Sequence, residues 1–266
     1  MSTQPDPSQA TTKNVLLVGD RFLGFAGLHP RVQTMTDVLA TRGEGVETIY
    51  RVGQGLTQEQ RQEVARFVAS SSAATVVGFP ERASREETHK HEVKNILISS
   101  PRKLGPDEFE LDLLVDGRSA ELSDHQTGQH IQGMALLEAA RQSILAVTEH
   151  YYIPRGESGD YVFILSELSV AFQRFAFPLP AVLRYSVDEA SLGDRDRMRF
   201  DVSIAIRQAD QDAAQLRFSF AVFRRGPLLR KEHAKAEQAL AAFFRQVEAD
   251  RPVASADLAG RTEVQR

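Results

Sequence analysis

The tract SDHQTGQHIQGMALLEAARQ, Ser123 to Gln142, gathers the residues of this sequence best able to do chemistry. His125 and His130 lie in a polar, glycine-containing loop that delivers the chain to a helix N-terminus. There, unpaired backbone N–H groups around Gly133 and Met134 can face a carbonyl oxygen. One turn further in stands Glu138, followed at i+3 and i+4 by Arg141 and Gln142, a polar stripe below those N–H groups. This is a geometry for acyl transfer: a carbonyl held by the helix end, a general acid or base beside it, and a cation or amide to hold the carboxylate. It requires no covalent nucleophile. Leu136, Leu137, Ile144, Leu145 and Val147 leave Glu138 little room on a fully solvated face, and Ala135, Ala139, Ala140 and Ala146 imply strands packed close to the helix. Such a carboxylate is expected to have a raised pKa suited to proton transfer near neutral pH. The plainer reading is a surface ion pair of Glu138 with Arg141, worth about 0.2–0.5 kcal/mol, beside ordinary loop histidines.

The elements that must position these groups follow from periodicity. VLLVG (15–19), VETIYRV (46–52) and ATVVGF (74–79) read as buried strands. Between them lie a helix opened by His29-Pro30 and closed by Gly43 and Gly45, and a second helix capped by Thr57. This β-α-β-α-β run is a small Rossmann-like module over 14–80, after a leader at 1–13 too polar to offset the entropy of ordering. PERASREETHK (80–90) is charged and non-periodic, so 81–90 is expected to be an exposed linker. NILISS and FELDLLVDG follow as strands around a Gly105-Pro106 turn. The helix from about Met134 to His150 is apolar on most faces, as an enclosed helix is. Four further strands, VFILSELSVAFQR, AVLRYSVDEA, RMRFDVSIAIRQ and AAQLRFSFAVFRR, precede an amphipathic helix from Arg230 to about Val247. The expected fold is α+β, an antiparallel sheet wrapped round a long helix over 91–248, with a flexible tail at 249–266.

Composition narrows the function. The 266 residues carry 36 acidic side chains against 32 Lys and Arg, a net charge of -4, so no global positive field favours nucleic acid. No cysteine is present, which excludes thiolate zinc sites, iron–sulfur clusters and a cysteine nucleophile. No stretch is of transmembrane length and MSTQPDPSQATTKN lacks the features of a signal peptide, so the cytoplasm is the expected location.

GQHIQGMALLEAARQS, together with HKHEVKNILIS (89–99) and TEHYYIP (148–154), resembles the AfsA family, the A-factor biosynthesis hotdog proteins. Gly133, Met134, Leu136, Leu137, Glu138, Ala139, Arg141 and Gln142 fit that family's helix motif. QGMALLEAARQ is also similar to the active-site helix of FabA/FabZ-type acyl carrier protein dehydratases, in which a loop histidine and the helix glutamate form the catalytic pair. Glu138 matches by position, and His125 lies one residue short of the dehydratase spacing. The resemblance implies a single hotdog domain from about Lys90 to Arg225, where AfsA proteins have two in tandem. It therefore implies a homodimer, because the hotdog active site is built where two units meet.

The resemblance further implies transfer of a β-ketoacyl group from acyl carrier protein to a small hydroxyl acceptor such as dihydroxyacetone phosphate, in signal synthesis or secondary metabolism. Glu138, Arg141 and His125 would be catalytic, and Gly133, Met134, Gln142 and His130 would bind substrate. The acyl group would arrive on the phosphopantetheine arm of acyl carrier protein or on coenzyme A, with no other cofactor and no metal. A hotdog dehydratase or thioesterase is the alternative, and a non-catalytic acyl-binding or scaffold protein the second. Tyr151, Tyr152, Phe172 and Phe175 are candidates for the acyl tunnel, although aromatic residues at such spacing more often form plain core. The loop Gly19 to Gly24 lacks the spacing of a phosphate-cradling turn. Arg224, Arg225, Arg230, Lys231 and Lys235 form a basic run, ordinarily a solvated face, that could receive an acidic carrier protein. His89, His91 and Glu92 have no second cluster at metal-ligand spacing.

Overall fold

The structure is a computed structural model and describes residues 12–40, 46–123, 128–154, 156–157 and 159–249. Its N-terminal part is a four-stranded parallel sheet in the order β2-β1-β3-β4, formed by β1 (Lys13–Val18), β2 (Val32–Thr34), β3 (Thr48–Val52) and β4 (Ala74–Val77). Between the strands run α1 (Leu23–Ala26), α2 (Met35–Ala40) and α3 (Gln58–Ser70). Val15, Leu17, Met35, Val38, Tyr50, Val52 and Val64 form the core of this part. The helix expected from His29-Pro30 begins only at Met35. Val32–Thr34 pair with β1 instead, and Thr34 and Asp37 exchange side-chain and backbone hydrogen bonds at the helix start, as a capping box does. Gly43 and Gly45 lie outside the described residues. Four short parallel strands are an α/β layer, and they do not establish the Rossmann-like assignment.

The second part is a six-stranded antiparallel sheet in the order β5-β6-β8-β9-β10-β7. Its strands are β5 (Arg102–Lys103), β6 (Glu108–Asp112), β7 (Tyr161–Phe172), β8 (Val182–Ser191), β9 (Arg197–Gln208) and β10 (Gln211–Arg224). The long helix α6 (Gly133–Tyr151) is enclosed in this part, with twelve of its residues buried. Strict alternation places Phe200, Val202 and Ile204 of β9 directly opposite Phe220, Phe218 and Leu216 of β10, all buried. This antiparallel sheet with its long helix is the arrangement of a hotdog domain.

Three expectations need correction. NILISS is not a strand of the sheet: a 3-10 turn covers Val93–Asn95, and the buried Ile96–Ser99 stretch makes only single bridges, Ile98 with Leu113 and Ser99 with Arg82. The 81–90 segment is no exposed linker. The Ala83 amide donates to Ile98 O at 3.0 Å, the short α4 (Arg85–Thr88) ends on the fully buried Thr88, and the Arg82 side chain is only 7% exposed. The last helix, α7 (Arg225–Ala249), starts five residues before the expected Arg230, with Pro227 accommodated in its first turn. A short α5 (Ala120–Ser123) precedes the tract 124–127, which lies outside the described residues.

The two parts share one core. Val18, Phe22 and Ala26 pack into the cluster that contains α6 and the large sheet. Gln54, 3% exposed, donates to Leu113 O at 2.9 Å and accepts from the Val115 amide at 2.8 Å, while its own amide donates to Pro178 O. Gly53 is required there because a Cβ would collide with Pro178 O, and Gly55 adopts a φ of 89° against the Phe22 ring.

Candidate active site

α6 carries the groups singled out by the sequence, and its surroundings determine what each can do. At its N-terminus Gln132 makes no side-chain cap, and among the described residues no acceptor meets the Gly133 and Met134 amides. Met134 is exposed, whereas Gly133 lies beneath the Phe172 ring of β7, 2.8 Å from where a Cβ would stand. The helix end therefore presents N–H groups beside an aromatic wall, with the partial positive charge of the dipole behind them. His130 reaches this region, its ring 4.9 Å from that of Phe175. Phe175 and Phe177 line an adjoining apolar cleft of about 360 Å³ that also contains Leu179. His125 lies outside the described residues.

Glu138 is 16% exposed and its carboxylate is gripped from three sides. Arg141 donates bidentately, Nε to Oε2 at 2.7 Å and Nη2 to Oε1 at 2.8 Å. Lys90 Nζ lies 2.8 Å from Oε1, and Gln142 Nε2 donates to the same oxygen at 3.0 Å. Burial alone would raise the carboxyl pKa, yet the donors from Arg141, Lys90 and Gln142 together bring it down to about 2. The expected raised value is thus corrected. The helix-local pattern revealed the burial, and the donors of Arg141 first, then of the distant Lys90 and of Gln142, outweigh it. Oε1 takes three donors and Oε2 only one, so Oε2 retains a lone pair for a further donor.

Gln142 is fully buried and its amide is committed. Oε1 accepts from the Leu97 amide at 2.8 Å, and Nε2 donates to Asn95 O at 2.8 Å as well as to Glu138. Arg141, by contrast, is 41% exposed beyond its ion pair.

Sequence reasoning assigned no role to Lys90, Asn95 or the pair His89 and Glu149. His89 Nε2 sits 2.8 Å from Glu149 Oε1, and the Glu149 side chain is 3% exposed. Its second oxygen, Oε2, is buried with no partner among the described residues. The signal was present: all four residues fall in the tracts 89–99 and 148–154, which the structure joins to α6 through Lys90 with Glu138, Asn95 and Leu97 with Gln142, and His89 with Glu149. His89 thus has a carboxylate partner, and no group of three or more potential metal ligands occurs among the described residues.

The aromatic candidates separate into two pairs. Tyr151 and Tyr152 pack around Phe109 as core, with Tyr151 OH donating to Pro101 O at 3.0 Å, whereas Phe172 and Phe175 are largely exposed. Of the basic run, Arg224 is engaged by Glu157 at 2.7 Å, while Arg230, Lys231 and Lys235 stand on the exposed α7.

The model of the AfsA A-factor biosynthesis hotdog domain matches residues 71–224. The chain belongs to the AfsA hotdog family. The matched region begins just before β4, so it takes in the last parallel strand as well as the whole antiparallel sheet. Among solved structures, the chain is similar to a mutant thioesterase from Pseudomonas aeruginosa, with 15% identity and a TM-score of 0.38 over 55% of this chain and 96% of that one. A thioesterase from Haemophilus influenzae shows 15% identity and a TM-score of 0.35 over 50% and 82%. A conserved protein from Pseudomonas aeruginosa shows 19% identity and a TM-score of 0.37 over 53% and 100%. No curated protein matches the chain. No helix among the described residues is long and apolar enough to cross a membrane.

Proposed function

We propose that this AfsA-family chain is an acyl-thioester enzyme that moves a (β-keto)acyl group from acyl carrier protein to a small hydroxyl acceptor such as dihydroxyacetone phosphate. The observation that carries the reading is the Glu138 carboxylate gripped by Arg141, Lys90 and Gln142, one turn below the amides of Gly133 and Met134. The thioester carbonyl oxygen would sit against those amides, whose hydrogen bonds strengthen as negative charge develops on it. The acceptor hydroxyl would donate to Glu138 Oε2. Its oxygen forms the new bond to the acyl carbon, the C–S bond breaks, and the hydroxyl proton leaves with the thiolate through the carboxylate. A carboxylate with a pKa of about 2 is a weak base, so its main contribution is to hold and polarise the hydroxyl while Arg141 and Lys90 fix its position. Gln142, being buried, acts as a positioning residue. His125 and His130 remain candidates for guiding the acceptor. The acyl chain would enter the apolar cleft at Phe175 and Phe177.

Dehydration would need this carboxyl group protonated before the β-hydroxyl leaves as water, a resting state that the low pKa disfavours, whereas transfer uses the carboxylate only as a passing relay for the proton. Hydrolysis differs from transfer only in placing water at Oε2. In this reading the protein acts as a homodimer, with the outer wall of the site supplied by a second copy across β7. The test is mass spectrometry of carrier proteins bearing β-ketoacyl, β-hydroxyacyl or saturated chains, with and without dihydroxyacetone phosphate. Acylated acceptor and free carrier thiol support the proposal. Loss of water from the chain, hydrolysis indifferent to acceptor, or no reaction would replace it by the dehydratase, thioesterase and scaffold readings respectively.

A further inference from the structure

The N-terminal part meets the site just described through Phe25, whose ring stacks on Phe177 at 5.8 Å, and it also walls a second cleft of about 410 Å³ between α3 and the segment that enters the hotdog. Three guanidinium side chains line it, those of Arg61, Arg82 and Arg85, against the single carboxylate of Glu81. Arg61 comes from α3 and its guanidinium lies over the Phe79 ring, 4.3 Å from the centroid, with a hydrogen bond to Pro80 O. Arg82 donates to the carbonyls of Ile96 and Leu114 and, at 3.4 Å, to the buried Asp116. Its Nε is buried without an acceptor among the described residues.

This charge balance is unusual for a purely structural clamp. Arg61 and Arg82 are both largely withdrawn from water, each lowered in pKa by that burial, and the charge of Arg61 pushes Arg82 down further. Asp116 is the one carboxylate that offsets them, and burial makes it a reluctant anion. Carbonyl oxygens satisfy donors without neutralising charge. Two guanidinium groups at the wall of an open cleft, Arg61 and the exposed Arg85, with the charge of the buried Arg82 behind them, match the oxygens of a phosphate group.

We propose that this cleft binds the phosphate group of a small phosphomonoester, clamped by Arg61 and Arg85 with the charge of Arg82 behind them, and that the N-terminal part exists to close it. The site is distinct from the acyl-transfer centre. Val93 and Ile96 face the cleft, while Asn95 and Leu97 of the same short segment hold Gln142 on its other side. An anion in the cleft would steady that segment and, through Gln142, the Glu138 carboxylate.

The test is calorimetric titration of the full chain with inorganic phosphate, glycerol phosphate and coenzyme A, with chloride at matched ionic strength as control. The expected result is saturable binding of glycerol phosphate, weaker binding of inorganic phosphate, and a rise in melting temperature with each, since a ligand that binds only the folded state stabilises it. Preference for coenzyme A, whose 3′-phosphate is a monoester on a large nucleotide, would overturn the assignment to a small ligand. Arg85→Gln and Arg61→Gln, made on the cleft wall, should each weaken phosphate binding at least tenfold. Arg61→Lys, which keeps charge but loses the fork, should recover only part of it. Absence of binding, or binding unchanged in the Arg61→Gln, Arg85→Gln double variant with unaltered circular dichroism, overturns the proposal. Glu138→Gln should leave phosphate binding in place, which separates failure of this inference from failure of the acyl-transfer reading.

Discussion

Lys90 Nζ lies 2.8 Å from Glu138 Oε1, so the segment that enters the hotdog domain supplies a counter-charge to the carboxylate in its central helix. That contact, more than the i,i+3 partner Arg141, distinguishes a built site from a helix-surface ion pair. Lys90 is itself only 21% exposed, and its ammonium also faces Glu121 at 3.8 Å. Lys90→Met should therefore weaken acyl transfer by about tenfold to a hundredfold, while Arg141→Met, which removes a bidentate grip, should do more. Comparison of kcat and KM for the two variants checks it. A Lys90→Met enzyme with unchanged kinetics would remove this contact from the site.

The pKa of about 2 gives a pH prediction with a definite sign. A carboxyl group whose folded pKa lies below its ordinary value of 4.5 contributes stability above pH 4.5. That contribution fades as pH falls towards 2, because the unfolded chain then binds the proton first. The full difference corresponds to about 3 kcal/mol, an upper figure for a group that is not wholly buried. Urea denaturation of the parent and of Glu138→Gln at a series of pH values should show the parent's advantage near neutrality shrinking between pH 4.5 and 2. A constant gap across that range would mean that Glu138 is not ionised through its partners.

Much of the architecture was legible in the sequence, and what was missed has physical causes. β8, β9 and β10 alternate cleanly because one face is buried, and α6 is apolar nearly all round because it is enclosed. β2 was hidden because Val32 also fits the helical spacing of Met35 and Val38, and only the pairing with β1 decides between them. NILISS is as apolar as a strand, but its amide and carbonyl groups at Leu97 and Asn95 go to the Gln142 side chain, which no local pattern reveals. The site failed in the same way: helix periodicity placed Glu138, Arg141 and Gln142 together, while Lys90 came from a stretch read as linker.

Gln142 should be a stability residue before it is a kinetic one. Gln142→Leu would leave the buried Leu97 amide without a partner, at a cost of roughly 1–3 kcal/mol, and would take the side-chain donor from the half-buried Asn95 carbonyl. It would also remove one donor from Glu138 Oε1. Chemical denaturation should show the loss, and a double-mutant cycle with Glu138→Gln should show coupling between the two sites. Additive effects would mean that Gln142 does not position the carboxylate.

The shared core predicts how the chain unfolds. With Val18, Phe22 and Ala26 packed into the cluster of α6, and Gln54 bonded to Leu113, Val115 and Leu179, the two sheets should melt in a single transition. Gln54→Ala should lower the stability of the whole by roughly 1–3 kcal/mol without splitting that transition. Two calorimetric peaks, or a soluble folded protein after removal of the first eighty residues, would show that the parts are independent.

The last prediction concerns β7. This strand pairs on one side with β10 and is the long edge of the large sheet, and Ile164, Leu165, Leu168, Val170 and Phe172 along it are all exposed. A long apolar edge with free backbone groups on its outer side is unstable against pairing, and proteins normally cover or charge it. The antiparallel partner that fits it best is its own copy, since two identical edges related by a two-fold axis present the same apolar surface to each other. Such pairing would also cover Phe172, which stands over Gly133 at the start of α6, so assembly and the N-terminal end of the helix are physically linked. Sedimentation should therefore show a dimer, converted to monomer by the Leu168→Lys, Val170→Lys pair, and acyl transfer should fall together with the dimer fraction. A monomer at all concentrations, or a monomeric variant of full activity, would show that the site is complete within one chain.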